Sequence, residues 1–183
     1  MTMSIIYSSA SAENIHTTVV DGIGQPIQNA ELEIYRGEED AKGNYVTFTL
    51  AQFKSDEKGM IKGDYEEGLV PKNETVYAKF SKEGFRGFTT SGKLKPHFVM
   101  KRIYTSDSMK KILKLKGDSL VFEVKQLIAG DLSLNQHDFG SFIFENEAKL
   151  RPALRQLLLD DTIRQEAAEN LAMIGVSEDL THF

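Results

Sequence analysis

The sequence contains no cysteine and no tryptophan, and only 4 of its 183 residues are proline. Without cysteine the chain has no disulfide, no thiolate nucleophile and none of the thiolate ligands of the usual structural zinc sites. No run of about 18 apolar residues occurs, so the sequence predicts no transmembrane helix. The hydrophobic fraction of 40% and the charged fraction of 27% are those of a globular chain, with room for one large domain or two small ones.

An excess of positive charge is also missing. The net charge is −5; residues 1–104 carry 13 basic and 14 acidic side chains, and residues 105–183 carry 9 and 13. Because polyanion binding depends on clustered Lys and Arg, we expect no nucleic acid partner. One basic group occurs at Lys110, Lys111, Lys114 and Lys116, which we interpret as a solvated helix face.

The start of the chain, MTMSIIYSSASAENIH, has no basic region and only a short apolar run. A secretory signal requires both features, so the sequence predicts an intracellular protein, with the cytoplasm favoured.

Up to about Tyr104 the apolar residues recur with a period of two, which is typical of strands with one solvated face. In AELEIY, for example, Leu32 and Ile34 alternate with glutamates, and in YVTFTLAQF the set Val46, Phe48 and Leu50 alternates with threonines. Glycine- and asparagine-containing turn signals separate these segments. We predict strands near residues 4–8, 15–21, 30–36, 44–54, 60–65, 75–82 and 97–103.

After Tyr104 the period changes to that of helices. Residues 105–107 offer a helix cap, Gly117 ends the first helix, and Asp118 is predicted to cap the second. The apolar stripe of the first helix is Met109, Ile112, Leu113 and Leu115, and that of the second is Leu120, Val121, Val124, Leu127 and Ile128. The sequence therefore predicts an α+β chain in two segregated parts, a β domain at 1–104 and a helical domain at 105–183.

Three segments of the first part carry a resemblance: VVDGIGQPIQNAELEIY at 19–35, KSDEKGMIKGDYEEG at 54–68 and YAKFSKEGF at 77–85. Together they resemble the carboxypeptidase-regulatory-like, or transthyretin-like, antiparallel β-sandwich over about residues 15–103. Gly59 and Gly84 stand where turns with positive φ are expected, and Ala30 is small enough for close packing at the start of a strand. The insert RGEEDAKGNY lengthens one hairpin relative to that family.

The resemblance implies a module for attachment, spacing or recognition, without catalytic residues, and some relatives bind carbohydrate. Sugar platforms rely on exposed aromatic rings, and this chain has no tryptophan. We consider Tyr65, Phe85 and Phe88 as candidates for an exposed patch, with Phe85 expected in the core. A ligand would bind through the loops near 36–44 and 83–93.

The stretch LRPALRQLLLDDTIRQEAAENLAMIG at 150–175 reads as two short amphipathic helices around an acidic turn. It resembles a HEAT-type helical repeat: Pro152 is placed at the start of the first helix, Asp161 caps the second, and Ala167 and Ala168 let the helices approach closely. The inner stripes are Leu154, Leu157, Leu158, Leu171 and Ile174, and the solvent face is Arg151, Arg155, Gln165 and Glu169. A shift of 43 residues aligns residues 115–128 with 158–171, and this offset is within the period of such repeats. A generic helical bundle is the alternative.

Patterns that mark catalysis or cofactor binding are missing. There is no phosphate-binding Gly-x-x-x-x-Gly-Lys-Ser/Thr loop, and the glycines at 21–24 lack the strand–turn–helix context of a dinucleotide site. The histidines His16, His97, His137 and His182 have no metal-ligand spacing. The acidic runs Glu38-Glu39-Asp40 and Glu66-Glu67 lack the alternating oxygens of a calcium loop, so we interpret them as solvated hairpin tips. We predict no catalytic, cofactor or metal residues.

The sequence thus favours a non-enzymatic recognition or scaffolding module that binds a protein partner or a second copy of itself. An exposed apolar patch on the last hairpin would distinguish this hypothesis. The alternatives are a sandwich that binds a glycan or small ligand through its loops, and an accessory domain of a hydrolase. Sequence alone leaves the partner, the oligomeric state and the compartment open.

Overall fold

The computed structural model describes residues 12–39, 42–66, 75–130 and 136–175, and it has the predicted α+β class. Contacts between residues divide the chain into two compact units. Unit 1 comprises the described residues of 1–20, 26–82 and 87–98, and unit 2 comprises those of 21–25, 83–86 and 99–183. None of the helices in the described part of the chain has both the length and the apolar character that a bilayer crossing requires.

The described strands form two sheets. The first has the order β4-β1-β7 and the second the order β3-β2-β5-β6, and every pairing recorded between their strands is antiparallel. The strands are β1 (Ala12–Val20), β2 (Glu31–Glu39), β3 (Tyr45–Lys54), β4 (Met60–Glu66), β5 (Val76–Ser81), β6 (Phe88–Ser91) and β7 (His97–Val99).

The core of unit 1 follows from the period-two pattern. Leu32 and Ile34 of β2 and Ala78 and Phe80 of β5 are buried, because alternate residues of a strand project to the same face. The Phe80 ring lies 4.5 Å from that of Phe98 in the other sheet, measured between centroids. The two sheets therefore contact each other through their buried faces.

A β-bulge changes the face that β3 buries. Ile34 pairs with Ala51 and Tyr35 with Thr49, so Leu50 is the extra residue of the bulge. Beyond the bulge the inward positions move to Ala51 and Phe53, and Phe48 is exposed instead of buried. The predicted alternation of β3 therefore breaks at Leu50, the bulge residue. Phe48 pairs with Arg36 and so projects to the same face as Ile34, but it is exposed.

The turn with positive φ expected at Gly59 is confirmed, and it spans residues 56–59. The Asp56 carboxylate accepts hydrogen bonds of 2.8 Å from the backbone N–H groups of Lys58 and Met60, and these donors lower the pKa of Asp56, the Met60 N–H most strongly. Gly59 has φ +72°, and a Cβ atom there would overlap the carbonyl oxygen of Val19. Only glycine combines this backbone conformation with so close an approach.

Two strand predictions need correction, and one lies outside the described residues. The strand Phe88–Ser91 was not predicted, because it is short and rich in hydroxyl residues, and the segment predicted at 97–103 is a strand only to Val99. The strand predicted near 4–8 lies outside the described residues. The other predicted strands correspond to β1 to β5 with shifts of a few residues at their ends.

Unit 2 contains five helices in its described residues: α1 (Ser106–Ile112), α2 (Gly117–Ile128), α3 (Gln136–Glu145), α4 (Glu147–Leu157) and α5 (Arg164–Met173). Helix α4 packs against α2 and α5. The predicted stripes form one core, because Leu120, Val124, Leu127, Leu154 and Leu171 are all buried in the same cluster.

The predicted start of α1 is confirmed by a capping box. The Thr105 hydroxyl accepts from the Ser108 N–H at 3.2 Å, and the Ser108 hydroxyl accepts from the Thr105 N–H at 2.8 Å. The prediction that Asp118 caps α2 was wrong, because the helix begins at Gly117 with Lys116 as its N-cap. Asp118 lies in the first turn, where a carboxylate still interacts favourably with the helix dipole.

Two predictions about the last hairpin were also wrong. Pro152 lies inside α4 and not at its start, because the buried stripe of this helix already begins at Leu150. Asp161 does not cap α5, whose N-cap is Ile163, and instead pairs with the Arg164 guanidinium. Asp160 organises the turn by accepting from the Thr162 N–H at 3.0 Å and its hydroxyl at 2.7 Å.

The same carboxylate supports a pH-dependent ion pair. The Lys125 ammonium lies 2.5 Å from the Asp160 carboxylate; this contact, followed by the Thr162 donors, lowers the pKa of Asp160 from 3.8 to about 2. A lowered pKa stabilises the fold above the ordinary value, and this contribution disappears as the pH falls from about 4 to about 2.

We expect Lys125→Met to reduce the free energy of unfolding by up to about 1 kcal/mol at pH 7, the range of partly exposed ion pairs, and to have a much smaller effect near pH 2. Urea unfolding at both pH values measures this difference. Lys110→Met is the matched control, since Lys110 is exposed and has no ion-pair partner among the described residues. An effect of Lys125→Met that is the same at both pH values would contradict the assignment.

Candidate functional site

Three tyrosines come together on the outer face of the four-stranded sheet. Tyr35 of β2 and Tyr77 of β5 are direct cross-strand partners. Their neighbours Ile34 and Ala78 project into the core, so the two tyrosines project to the opposite face. Tyr45, at the start of β3, is the third. We call this group, together with Gly37, the tyrosine face.

The rings of Tyr35 and Tyr77 stack, with centroids 5.5 Å apart and planes inclined by 21°. The Tyr45 hydroxyl reaches them by hydrogen bonding to the Tyr77 hydroxyl. Tyr45 is nevertheless 60% exposed, and among the large hydrophobic side chains of the described residues only Leu159 and Phe144 are more exposed. The tyrosine face therefore consists of the stacked rings of Tyr35 and Tyr77 and the largely exposed ring of Tyr45.

Gly37 makes this arrangement possible. A Cβ atom at position 37 would overlap the hydroxyl end of the Tyr45 ring. The absence of a side chain lets the ring lie across β2 toward Tyr77. The contact partner is the far end of a flexible side chain, so a residue larger than glycine would displace the ring and leave the strand in place.

The Tyr45 hydroxyl on this face remains protonated at physiological pH. Loss of solvent at the hydroxyl, followed by the nearby phenols of Tyr77 and Tyr35, raises the pKa of Tyr45 above its ordinary value of 10.0. A neutral phenol donates and accepts hydrogen bonds, and its ring offers apolar contact area with few rotatable bonds. The tyrosine face can therefore bind another molecule through hydrogen bonds and apolar contacts.

The tyrosine face continues to a sheet edge, because β3 is the outermost strand of its sheet. Phe48 of β3 is exposed on the other side of the strand, and the Arg36 guanidinium lies 4.7 Å from its ring centroid. Arg36 also pairs with Glu38 at 2.8 Å. An edge strand presents backbone N–H and C=O groups that can pair with another chain.

The aromatic residues predicted for a patch are not brought together. Tyr65 is buried and its hydroxyl donates to the Glu13 carboxylate at 2.6 Å. Phe88 stacks on Phe80, with centroids 4.9 Å apart. Phe85 belongs to unit 2 and is half-buried, with the Arg102 guanidinium 5.3 Å from its ring centroid. The patch prediction was wrong because two of the three rings pack inward.

The two predicted ligand loops also differ from expectation. Within 36–44, Arg36 to Glu39 extend β2, so Glu38 and Glu39 are strand residues and not a hairpin tip; Asp40 lies outside the described residues. Within 83–93, strand β6 separates two short turns, and residues 83–86 belong to unit 2. Glu66 ends β4, its side chain is not described, and Glu67 lies outside the described residues.

Among the described residues, no group of three or more acidic or histidine side chains could hold a metal ion. His16 is exposed on β1. His97 Nδ1 lies 3.1 Å from the Thr18 hydroxyl, which also donates to the Pro96 carbonyl at 3.1 Å. A hydroxyl committed to a backbone acceptor is not activated for attack. The side chain of His137 is not described, and His182 lies outside the described residues.

The predicted surface residues of unit 2 are largely confirmed. The side chains of Lys110, Lys111, Lys114, Lys116, Arg155, Gln165 and Glu169 are exposed, and Arg151 is half-buried. Leu171 and Ile174 are buried within the unit and cannot form an exposed patch. On the last hairpin the exposed apolar side chains are Leu159 and Met173.

Sequence reasoning missed the tyrosine face because its members are separated along the chain. Tyr35 and Tyr77 are both outward residues of predicted strands, and this is the signal that could have found them. Their pairing depends on β2 lying beside β5, which no local pattern specifies. Tyr45 lies near the start of the strand predicted at 44–54, and no prediction singled it out.

Comparison with known proteins gives no family. No family model matches the chain, and no curated protein matches it. Two solved structures have limited similarity: 3-chlorocatechol 1,2-dioxygenase from Rhodococcus opacus 1CP, with 20% identity over 48% of this chain and a TM-score of 0.32, and catechol 1,2-dioxygenase from Acinetobacter sp. ADP1 inhibited by bound mercury, with 14% identity over 58% and a TM-score of 0.31. The chain spans 46% and 48% of these proteins. Similarity of this extent carries no argument about fold or activity.

Proposed function

We propose that this chain is a non-enzymatic protein-interaction module that binds a protein partner on the tyrosine face and the adjoining edge of β3. The observation that carries the proposal is the Tyr45 ring, 60% exposed yet held in place over Gly37 by its contact with Tyr77. Tyrosine and arginine are enriched among residues that dominate binding energy, and a ring that is already ordered loses little entropy when a partner covers it.

The edge of β3 specifies the kind of partner. We infer that an extended segment of the partner adds to the sheet beside β3, with its alternate side chains contacting Tyr45 on one face and Phe48 on the other. Strand addition obtains affinity from backbone hydrogen bonds and specificity from side-chain contacts. The bulge at Leu50 and the charged Lys54 limit indiscriminate pairing along the remainder of this edge.

The finer architecture is part of the same proposal. We infer that unit 1 is a β-sandwich of the transthyretin-like type, supported by its two antiparallel sheets in contact through Phe80 and Phe98. We infer that the helices of unit 2 are HEAT-like, supported by the offset of 43 residues, at which Leu120, Val124 and Ile128 correspond to Ile163, Ala167 and Leu171 and all six are buried. Both architectures are common in proteins that bind other proteins.

Tyr45→Ser tests the proposal. A partner captured from lysate of the source organism is purified, and its dissociation constant is measured for the wild type and the variant by isothermal titration calorimetry. We expect Tyr45→Ser to weaken binding at least tenfold, since loss of an aromatic hot spot typically costs about 2 kcal/mol or more. Light scattering over a concentration series tests a second copy of the chain as the partner in the same way.

Two matched variants sharpen the experiment. Gly37→Ala displaces the Tyr45 ring without removing it and should weaken binding in the same direction. Gln52→Ala alters an exposed residue near the other end of β3 and should leave affinity unchanged. Equal affinities for the wild type and Tyr45→Ser would overturn the proposal, as would a monomeric chain for which no partner with measurable affinity is found.

The glycan alternative has weaker support on this surface. Sugar platforms use a ring face that is free to cover a pyranose, whereas Tyr35 and Tyr77 stack on each other and each occupies a face of the other. The hydrolase-accessory alternative has no specific observation in its favour. Retention of the chain on a glycan array, abolished by Tyr45→Ser, would favour the glycan alternative over the protein partner.

A further inference from the structure

Unit 2 contains a groove of about 450 Å³ that includes residues 83–85 of one predicted ligand loop, while its other lining residues were not predicted to bind a ligand. It lies between helix α1 and the segments around Phe85 and Arg102, and Glu123 of α2 is also part of its lining. The apolar part of its lining is Phe85, Ile103, Ile112 and Leu115, and the polar part includes Glu83, Arg102, Ser108, Lys111 and Glu123. A volume of this size accommodates a small organic ligand.

Backbone pairing fixes the wall that contains Arg102. The Arg86 N–H donates to the Lys101 carbonyl at 2.8 Å, and the Ile103 N–H donates to the Gly84 carbonyl at 2.9 Å. These bonds place Phe85 directly opposite Arg102. The guanidinium then lies 5.3 Å from the Phe85 ring centroid, a cation–π distance that orients its planar fork.

One N–H group of the Arg102 guanidinium is buried without a hydrogen-bond acceptor. Its Nε atom is buried without a hydrogen-bond partner, and no carboxylate forms an ion pair with its guanidinium in the part of the chain that the structure describes. A buried donor without an acceptor is unfavourable, and the Nε and terminal N–H groups of arginine match the two oxygens of a carboxylate. The geometry therefore selects a ligand with an anionic head and an apolar body.

We propose that this groove binds a small amphipathic monocarboxylate, whose carboxylate accepts hydrogen bonds from Arg102 and whose apolar body packs against Phe85, Ile112 and Leu115. The proposal is independent of the protein-binding role of unit 1, because all of these residues belong to unit 2.

The remaining charges of the groove favour one negative charge over two. Arg102 and Lys111 are balanced by Glu83 and Glu123, so the lining has no excess positive charge, and the two glutamates repel a dianion such as a phosphate monoester more strongly than a monoanion. Burial raises the pKa of Tyr104, so its phenol adds no negative charge to the lining. A hydrogen bond to a charged group typically changes affinity by about tenfold or more.

The probes are octanoate, octyl phosphate and 1-octanol, which share a chain of the same length and differ in charge. Binding is measured by isothermal titration calorimetry and by shifts of the Ile112 and Leu115 methyl resonances. We expect octanoate to bind with shifts at both methyl groups, and octyl phosphate and 1-octanol to bind at least about tenfold more weakly. Equal binding of 1-octanol, or no shift at either methyl group, would overturn the proposal.

Arg102→Gln removes the proposed anchor and should weaken octanoate binding at least about tenfold. Lys114→Gln is the matched control: it makes the same change in charge at an exposed residue outside the groove lining and should bind as the wild type does. Octanoate affinity unchanged by Arg102→Gln would overturn the proposal. If Arg102→Gln lowers the melting temperature, Arg102→Lys is used in its place. It keeps the positive charge but loses the paired N–H donors of the guanidinium, so it should also weaken octanoate binding. Tyr45→Ser should leave octanoate binding intact, so a failure of the partner-binding proposal is distinguishable from a failure of this one.

Discussion

Leu171→Ala is expected to lower the free energy of unfolding by about 2–5 kcal/mol, the range for a fully buried leucine in a close-packed core. Leu171 has no exposed surface and lies in the core cluster of unit 2 with Leu154 and Ala167. Truncating its side chain removes apolar contact area and leaves a cavity that the surrounding helices fill only in part. Urea unfolding followed by circular dichroism at 222 nm measures the loss.

Met173 provides the control on the same helix. It is two residues further along α5 and is 51% exposed, so Met173→Ala should change stability by no more than about 0.5 kcal/mol. A loss below 1 kcal/mol for Leu171→Ala would contradict the assignment of Leu171 to the core. Because Leu171 supports the fold, its substitution cannot test partner binding, and the exposed residue Tyr45 is the informative position.

The apolar periodicity predicted most of the elements because burial is what creates the pattern. Leu32, Phe80, Val124 and Leu154 were placed in strands or helices by spacing alone, and all four are buried. The apolar pattern predicted the structure less well in segments that have only a weak apolar periodicity. Helix α3 was not among the predicted helices, because Gly140 and its polar neighbours give only a weak helical signal.

Features that depend on neighbouring strands could not be predicted from one sequence. The bulge at Leu50 reverses the faces of β3, and nothing in YVTFTLAQF distinguishes this residue from the other apolar positions. The tyrosine face depends on β2 lying between β3 and β5. Likewise, the groove in unit 2 depends on the pairing of Phe85 with Arg102, which are remote in sequence.

Asp21 has a structural role that its turn motif in the sequence does not indicate. The sequence marks Asp21-Gly22 only as part of a turn, yet the Asp21 side chain is 3% exposed and each of its oxygens is engaged. One oxygen accepts from the backbone N–H groups of Ile23 at 3.0 Å and Gln25 at 2.8 Å. The other accepts from the Gln126 side-chain amide at 2.7 Å, and that amide is also buried. Within unit 2, this carboxylate therefore joins the turn at 21–25 to helix α2.

We expect Asp21→Ala to lower the free energy of unfolding by about 3 kcal/mol or more. Each hydrogen bond to a charged group contributes about 1.5–3 kcal/mol, and the substitution leaves the buried Gln126 amide without its acceptor. Asp21→Asn should lose less, because its amide oxygen still accepts from the turn, and a rotated Gln126 amide can accept from its nitrogen. Urea unfolding of both variants and the wild type measures the difference.

A double-mutant cycle with Gln126→Leu separates the two roles of Asp21. If the carboxylate and the amide stabilise each other, the losses from Asp21→Ala and Gln126→Leu overlap, with a coupling energy of about 1–3 kcal/mol. Additive losses would mean that Asp21 stabilises only its own turn. The close approach of Gly22 to the Ala129 carbonyl, where a Cβ atom would overlap the oxygen, favours coupling. Once the carboxylate is removed, the turn must withdraw from the end of α2 or leave polar groups buried without partners, and either outcome destabilises unit 2.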